Sequence, residues 1–236
     1  MTVTVGLLMM GHVPPHVQHI GGDYPDLYRA LLEPLGADVV RYDIDEGRFP
    51  DDLHECDVWL GSPSRSSTYD DLAWIPDTEE LLRRIVSAER PFVGICFGHQ
   101  MLAQALGGRV AKSDGGWGVG VQDYEVVGRP AFFGPSAPAT VGAIASHKDQ
   151  VVEAPPGAMI WATSEYCPNA GMTVGERAWT FQGHPEFTAE LADAIYASRV
   201  ELLGADVVER ARRSLARQTS RELLGRLITR SASTHH

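Results

Sequence analysis

Cys96 stands in the run Gly94-Ile95-Cys96-Phe97-Gly98, between an apolar stretch, PFVGI, and a helix-like stretch, FGHQMLAQALGG. Glycines two residues either side of a nucleophile mark the G-x-S-x-G turn, here with sulfur in place of oxygen. In that turn a strand bends sharply into a helix and lifts the reactive atom above a sheet. The bend is too tight for bulky neighbours, which is what the glycines answer. A thiol at a helix start also meets unpaired N–H groups and the positive end of the helix dipole, both of which favour thiolate. A free cysteine is most often buried and inert. Strand, glycines and helix agree at Cys96, whereas Cys56 merely precedes a strand and Cys167 lies in a Pro/Asn loop.

A cysteine nucleophile needs a base, and the base needs an orienting group. Two histidines are followed by an acid at the second position: His184-Pro185-Glu186 after AWTFQG, and His147-Lys148-Asp149 after TVGAIAS. In extended chain, positions i and i+2 share a face, so either acid can hold its histidine and spacing does not choose. His99, one helical turn beyond Cys96, reads as packing locally. His12, His16 and His19 are spaced four and three apart, but Pro14 and Pro15 interrupt any helix that would align them. Their loop is expected to shape a substrate site at the carboxyl end of the first strand, with no metal and no cofactor. Gly115-Gly116-Trp117-Gly118 lacks the Lys-Ser/Thr ending of a phosphate loop and reads as a β-turn.

The elements that must position these residues follow from the hydrophobic pattern. Strands are expected at Val3–Met9, Asp38–Tyr42 and Asp57–Leu60, and helices at Tyr24–Leu35 and from Asp77 to Ala88. Asp77 followed by Glu80 resembles a capping box. Alternating strands and helices predict an open, mostly parallel α/β sheet with helices on both faces. After Gly108, short strands are expected near 115–127, 140–145, 159–163, 170–174 and 178–182, adding antiparallel pieces. From Thr188 the chain is helical again, and the final SASTHH, with its terminal His pair, reads as disordered. Residues 1–198 form the expected main domain and 199–236 a C-terminal helical segment.

The chain has 236 residues and 44% hydrophobic content, which suits one large domain with an appendage. A net charge of -11 argues against nucleic acid as partner. No apolar stretch is long enough to span a bilayer. The N-terminus lacks a basic region and reads as a strand, not a signal peptide. Three cysteines without a secretory signal predict a reducing, cytoplasmic setting. From Arg199 onward eight arginines face four acids. That excess reads as a solvated helix face, with docking of an acidic partner or a second copy of the chain as the alternative.

The runs GICFGHQMLAQALGG and FQGHPEF resemble the two signature motifs of class I (triad) glutamine amidotransferases. GSPSRSSTYDDLAWI and SHKDQVV resemble that family's oxyanion-loop and glutamine-site segments, so the likeness spans about residues 57 to 187. Its wording is similar to the stand-alone, GMP-synthase-like subgroup and to plant γ-glutamyl peptidases. The resemblance implies a flavodoxin-like fold, with Cys96 as nucleophile, His184 as base and Glu186 as its orienter. It implies an oxyanion hole from the Ser62 and Phe97 N–H groups, and glutamine contacts from Gly61, Gln100, Ser146 and His147. Gly61-Ser62-Pro63 departs from the usual Gly-Gly-Pro. The activity implied is hydrolysis of the glutamine side-chain amide, releasing ammonia for a separate synthetase or other acceptor enzyme. A γ-glutamyl peptidase with the same triad is the alternative, and a non-catalytic docking module is the third reading.

Overall fold

Val3–Met9 (β1) is a continuous apolar run and sits inside the sheet, as such runs do when both faces are covered. A computed structural model describes residues 2–128 and 130–233. β1 is flanked by Ala37–Asp43 (β2) and Val58–Gly61 (β3), then Phe92–Ile95 (β4) and Ala178–Phe181 (β11), and neighbours in this half are parallel. The sheet continues antiparallel through Gly171–Val174 (β10), Met159–Thr163 (β9), Gly118–Val126 (β6) and Thr140–His147 (β7). The nine-stranded order is β2-β1-β3-β4-β11-β10-β9-β6-β7. Arg109–Lys112 (β5) and Asp149–Glu153 (β8) form a separate antiparallel pair that the hydrophobic pattern does not announce.

The helices are Gln18–Gly21 (α1), Tyr24–Leu32 (α2), Trp74–Ser87 (α3), Phe97–Ala105 (α4), Ala189–Ala197 (α5), Val200–Leu203 (α6), Ala205–Ser214 (α7) and Arg221–Arg230 (α8). They divide the core in two. One cluster joins β1 to Tyr24, Tyr28, α5 and the apolar stripes of α7 and α8; the other joins Trp59 and Phe92 to α3 and α4. The helix α3 begins a turn before the expected Asp77, and no side chain caps it. Burial of Ile75 and the packing of Trp74 on Phe97, at 5.8 Å, outweigh the capping-box pattern. The helix α2 carries the full capping box instead, between Asp23 and Asp26.

The segment from Arg199 packs on the sheet through Val208, Ala211, Leu224, Leu227 and Ile228. Four of its arginines are ion-paired: Arg212 with Asp193, Arg213 with Glu209, Arg217 with Asp123 and Arg226 with Glu222. The disordered tail expected from Ser231 is corrected in its first half. Ser231–Ser233 form a 3-10 turn, and Ser231 Oγ accepts the buried Trp179 indole N–H at 2.8 Å, a partner such an N–H needs. Thr234, His235 and His236 lie outside the described residues. Among the described residues no helix is long and apolar enough to cross a membrane.

Candidate active site

β4 and β11 are adjacent and parallel, so the residues that follow them emerge side by side at the carboxyl end of the sheet. After β4 comes Cys96 and after β11 comes Gln182-Gly183-His184. Carboxyl ends of parallel strands are where open α/β sheets place ligands. Cys96 has φ 51° and ψ -99°, a backbone conformation rare outside glycine. Strain of this kind costs about 1–3 kcal/mol and persists only where the surroundings impose it. Here the Cys96 N–H is held by the Phe181 carbonyl at 2.9 Å, and α4 starts at the next residue. The flanking glycines are required by close backbone approach. A Cβ on Gly94 would lie 2.6 Å from the Gly98 carbonyl oxygen, and one on Gly98 would lie 2.5 Å from the Gly61 carbonyl oxygen.

His184 is pinned by its N–H to the Ile144 carbonyl at 2.8 Å and by stacking on Phe187 at 4.1 Å. Its Nδ1 bonds Glu186 Oε1 at 2.7 Å, which leaves Nε2, buried and without a protein partner, for chemistry. Burial alone would lower its pKa, but the charge on Glu186 and negative charge at Cys96 outweigh it, and the pKa is raised. His147 differs. Its Nδ1 bonds the backbone carbonyl of Asp149 at 3.1 Å, while the Asp149 carboxylate faces Tyr69 and Lys112. Burial pushes its pKa down to about 4, leaving it neutral. Of these two histidines, only His184 has a carboxylate against its ring. His99 is buried against Thr180 at 2.6 Å.

The other cysteines are separated from this chemistry. Cys167 is fully buried and its thiol is pushed up to about 12, by burial and then by charge at Cys96. Cys56 is buried beside Tyr42. His12 is held between Asp23 at 2.5 Å and Asp45 at 3.1 Å, clamping the loop after β1 to the start of α2. Among the described residues no three His, Cys, Asp or Glu side chains are grouped to hold a metal ion.

The two N–H groups expected at the oxyanion hole differ in what holds them. The Phe97 N–H, at the first position of α4, has no hydrogen-bond partner among the described residues. Ser62 is a correction: its N–H donates to the Leu8 carbonyl at 3.1 Å, because the ladder between β1 and β3 runs one residue past β3. Its hydroxyl is also committed, accepting from the Met10 N–H at 2.8 Å and donating to the Pro63 carbonyl at 3.0 Å. Gly61, the last residue of β3, packs directly on Gly98. Gln100 donates to the Asp149 carbonyl at 2.8 Å and to Gln182 Oε1 at 3.1 Å, so its amide nitrogen braces the site and only its carbonyl oxygen remains for substrate. Ser146 Oγ accepts from Arg199 at 3.2 Å.

Three contributors escaped the sequence reading. Gln182 donates to Cys96 Sγ at 3.5 Å and is itself held by Gln100. Tyr24 and Tyr28, four apart on the buried face of α2, both feel the charge of Glu186. Arg199, over the Trp117 ring at 5.9 Å, lies within electrostatic reach of Cys96 and has no carboxylate partner among the described residues. Only Gln182 carried a local signal, being two residues before His184.

Comparisons with known proteins agree with this geometry. Over 178 residues the chain is 28% identical to γ-glutamyl peptidase 3 of Arabidopsis thaliana, covering 71% of this chain and 72% of that one. It is 32% identical over 170 residues to the glutamine-hydrolysing GMP synthase of Pyrobaculum aerophilum, covering 72% of this chain but 32% of the synthase. A solved structure of a Thermotoga maritima glutamine amidotransferase superposes with a TM-score of 0.80 at 24% identity, over 99% of this chain and 100% of that one. The family model described as glutamine amidotransferase class-I matches residues 30–200, a stretch that contains Cys96, His184 and Glu186, and the chain belongs to that family.

Proposed function

We propose that this protein hydrolyses γ-glutamyl amides through a thioester on Cys96, with glutamine the simplest substrate and its ammonia passed to a separate acceptor enzyme. One observation carries the reading: His184 is held by Glu186 on one ring nitrogen and faces Cys96 with the other free. The Cys96 sulfur attacks the amide carbon, and the oxyanion gathers on the Phe97 N–H. The C–N bond breaks as His184 passes its proton to the leaving nitrogen, releasing ammonia. Water then attacks the thioester carbon and yields its proton to His184. The C–S bond breaks, glutamate leaves and the thiol state is restored.

A second reading, a γ-glutamyl peptidase, is favoured by Arg199. A half-buried guanidinium without an acid, with Arg65 contributing like charge nearby, suits a leaving group that carries its own carboxylate. A panel of glutamine and γ-glutamyl dipeptides, with glutamate and ammonia both measured, separates the readings. Ammonia from glutamine supports the first. Glutamate from dipeptides, with glutamine ignored, supports the second. No turnover of any γ-glutamyl compound contradicts both.

A further inference from the structure

Glu186 is completely buried and uses one oxygen, Oε1, to hold His184. Among the described residues its second oxygen, Oε2, is buried without a hydrogen-bond partner, and so is the hydroxyl of Tyr28. An unsatisfied buried carboxylate oxygen is among the more costly defects a fold can carry. A donor and an acceptor that are both orphaned, and that lie within reach of each other's charge, are each other's natural remedy. Tyr28 is wholly buried on the inner face of α2, within electrostatic reach of Glu186. Burial and then the Glu186 charge keep its phenol un-ionised, so it has a proton to donate.

We propose that Tyr28 is a positioning residue of the triad: its hydroxyl donates to Glu186 Oε2 during turnover and fixes the carboxylate that orients His184. This rests on the reading of His184 and Glu186 as base and orienter. Catalytic hydrogen bonds are often open in a resting site and close when charge develops, here when His184 takes the proton of the attacking or leaving group. Such outer contacts set the orientation and basicity of the group in front of them. Among the described residues, the charged and titratable groups that bear on Glu186 include His184 and Cys96 at the carboxyl end of the sheet, Tyr24 and Tyr28 on α2, and Arg221 at the start of α8. The Arg221 Nε is also buried without a partner, so it is the competing candidate for the same role.

The test compares the full-length wild type with Tyr28→Phe and Arg221→Gln, reading the His184 pKa by NMR and kcat and KM with γ-glutamyl-p-nitroanilide. Tyr28→Phe keeps the ring and its packing. The expected result is a His184 pKa higher by half a unit or more, because Glu186 then concentrates more charge on the imidazole. A roughly tenfold loss of kcat should accompany it, with KM within about twofold. An unchanged His184 pKa overturns the proposal whatever happens to kcat, and so does a shifted pKa with kcat unchanged. If Arg221→Gln gives the shift and Tyr28→Phe does not, the role belongs to Arg221 and the proposal also falls. If the wild type turns over no γ-glutamyl compound, the functional reading fails, while the NMR titration still decides whether Tyr28 holds Glu186.

Discussion

Gly98→Ala tests how tightly the nucleophile turn is built against the loop beside it. A methyl at residue 98 would stand 2.5 Å from the Gly61 carbonyl oxygen, 2.8 Å from its carbonyl carbon and 3.0 Å from its Cα. All three are backbone atoms, so no side chain can swing away. Ordinary contact begins near 3.4 Å, so the end of β3 and the start of α4 must part by about 0.9 Å, the difference between 3.4 and 2.5 Å. Overpacking of this kind costs about 1–3 kcal/mol. At roughly 2–4 °C per kcal/mol for a chain of this size, the melting temperature should fall by roughly 2–12 °C. The same displacement separates Phe97 from the Gly61–Pro63 loop across the site. A misplacement of about 1 Å commonly costs about a hundredfold in rate. The assay is kcat/KM on γ-glutamyl-p-nitroanilide beside thermal unfolding. Gly36→Ala serves as the control, since that glycine has φ 85° but open space around it. It should lose stability without losing activity. A folded Gly98→Ala protein with kcat/KM within threefold of wild type would refute the reasoning.

The remaining expectations are briefer. Arg199→Gln should raise KM for γ-glutamyl dipeptides about tenfold and leave glutamine within twofold; equal effects on both would remove Arg199 from leaving-group recognition. His99 and His147 have folded pKa values of about 3 and about 4, below the ordinary 6.5, so between pH 6.5 and 4 the unfolded chain binds protons that the fold refuses, and stability falls with pH. At pH 5 each is 1.5 units below 6.5, which at about 1.4 kcal/mol per unit removes on the order of 4 kcal/mol for the two. His184, whose pKa is raised, adds stability that is fully present only below 6.5 and is lost as pH rises through its folded value, so between pH 7 and 5 it offsets only a small part of this loss. Urea midpoints that coincide at pH 7 and pH 5 would contradict it.

What the sequence made legible was local. The turn at Cys96 and the i, i+2 pair His184 and Glu186 are written in a few neighbouring residues, and β1 is found at Val3–Met9 as expected because an unbroken apolar run has one reading. What it concealed depends on register and packing. The loss of the Ser62 N–H to Leu8 follows from how far β1 and β3 pair, which no motif states. Tyr28 comes within electrostatic reach of Glu186 through the packing of α2, which no motif states. The separate pair β5 and β8 is not legible because each is a short strand with exposed polar residues among its few buried ones, too brief for a clear alternation.

The central claim, that Cys96 carries the glutamyl group, is tested most directly by trapping it. Brief mixing of the wild type with γ-glutamyl-p-nitroanilide, rapid acid quench during turnover and peptide mass spectrometry should find one glutamyl group on the peptide containing Cys96. The account predicts that adduct on Cys96 and none on Cys56 or Cys167, with all turnover lost in Cys96→Ala. An adduct on either of the other cysteines, or hydrolysis that survives Cys96→Ala, would contradict it.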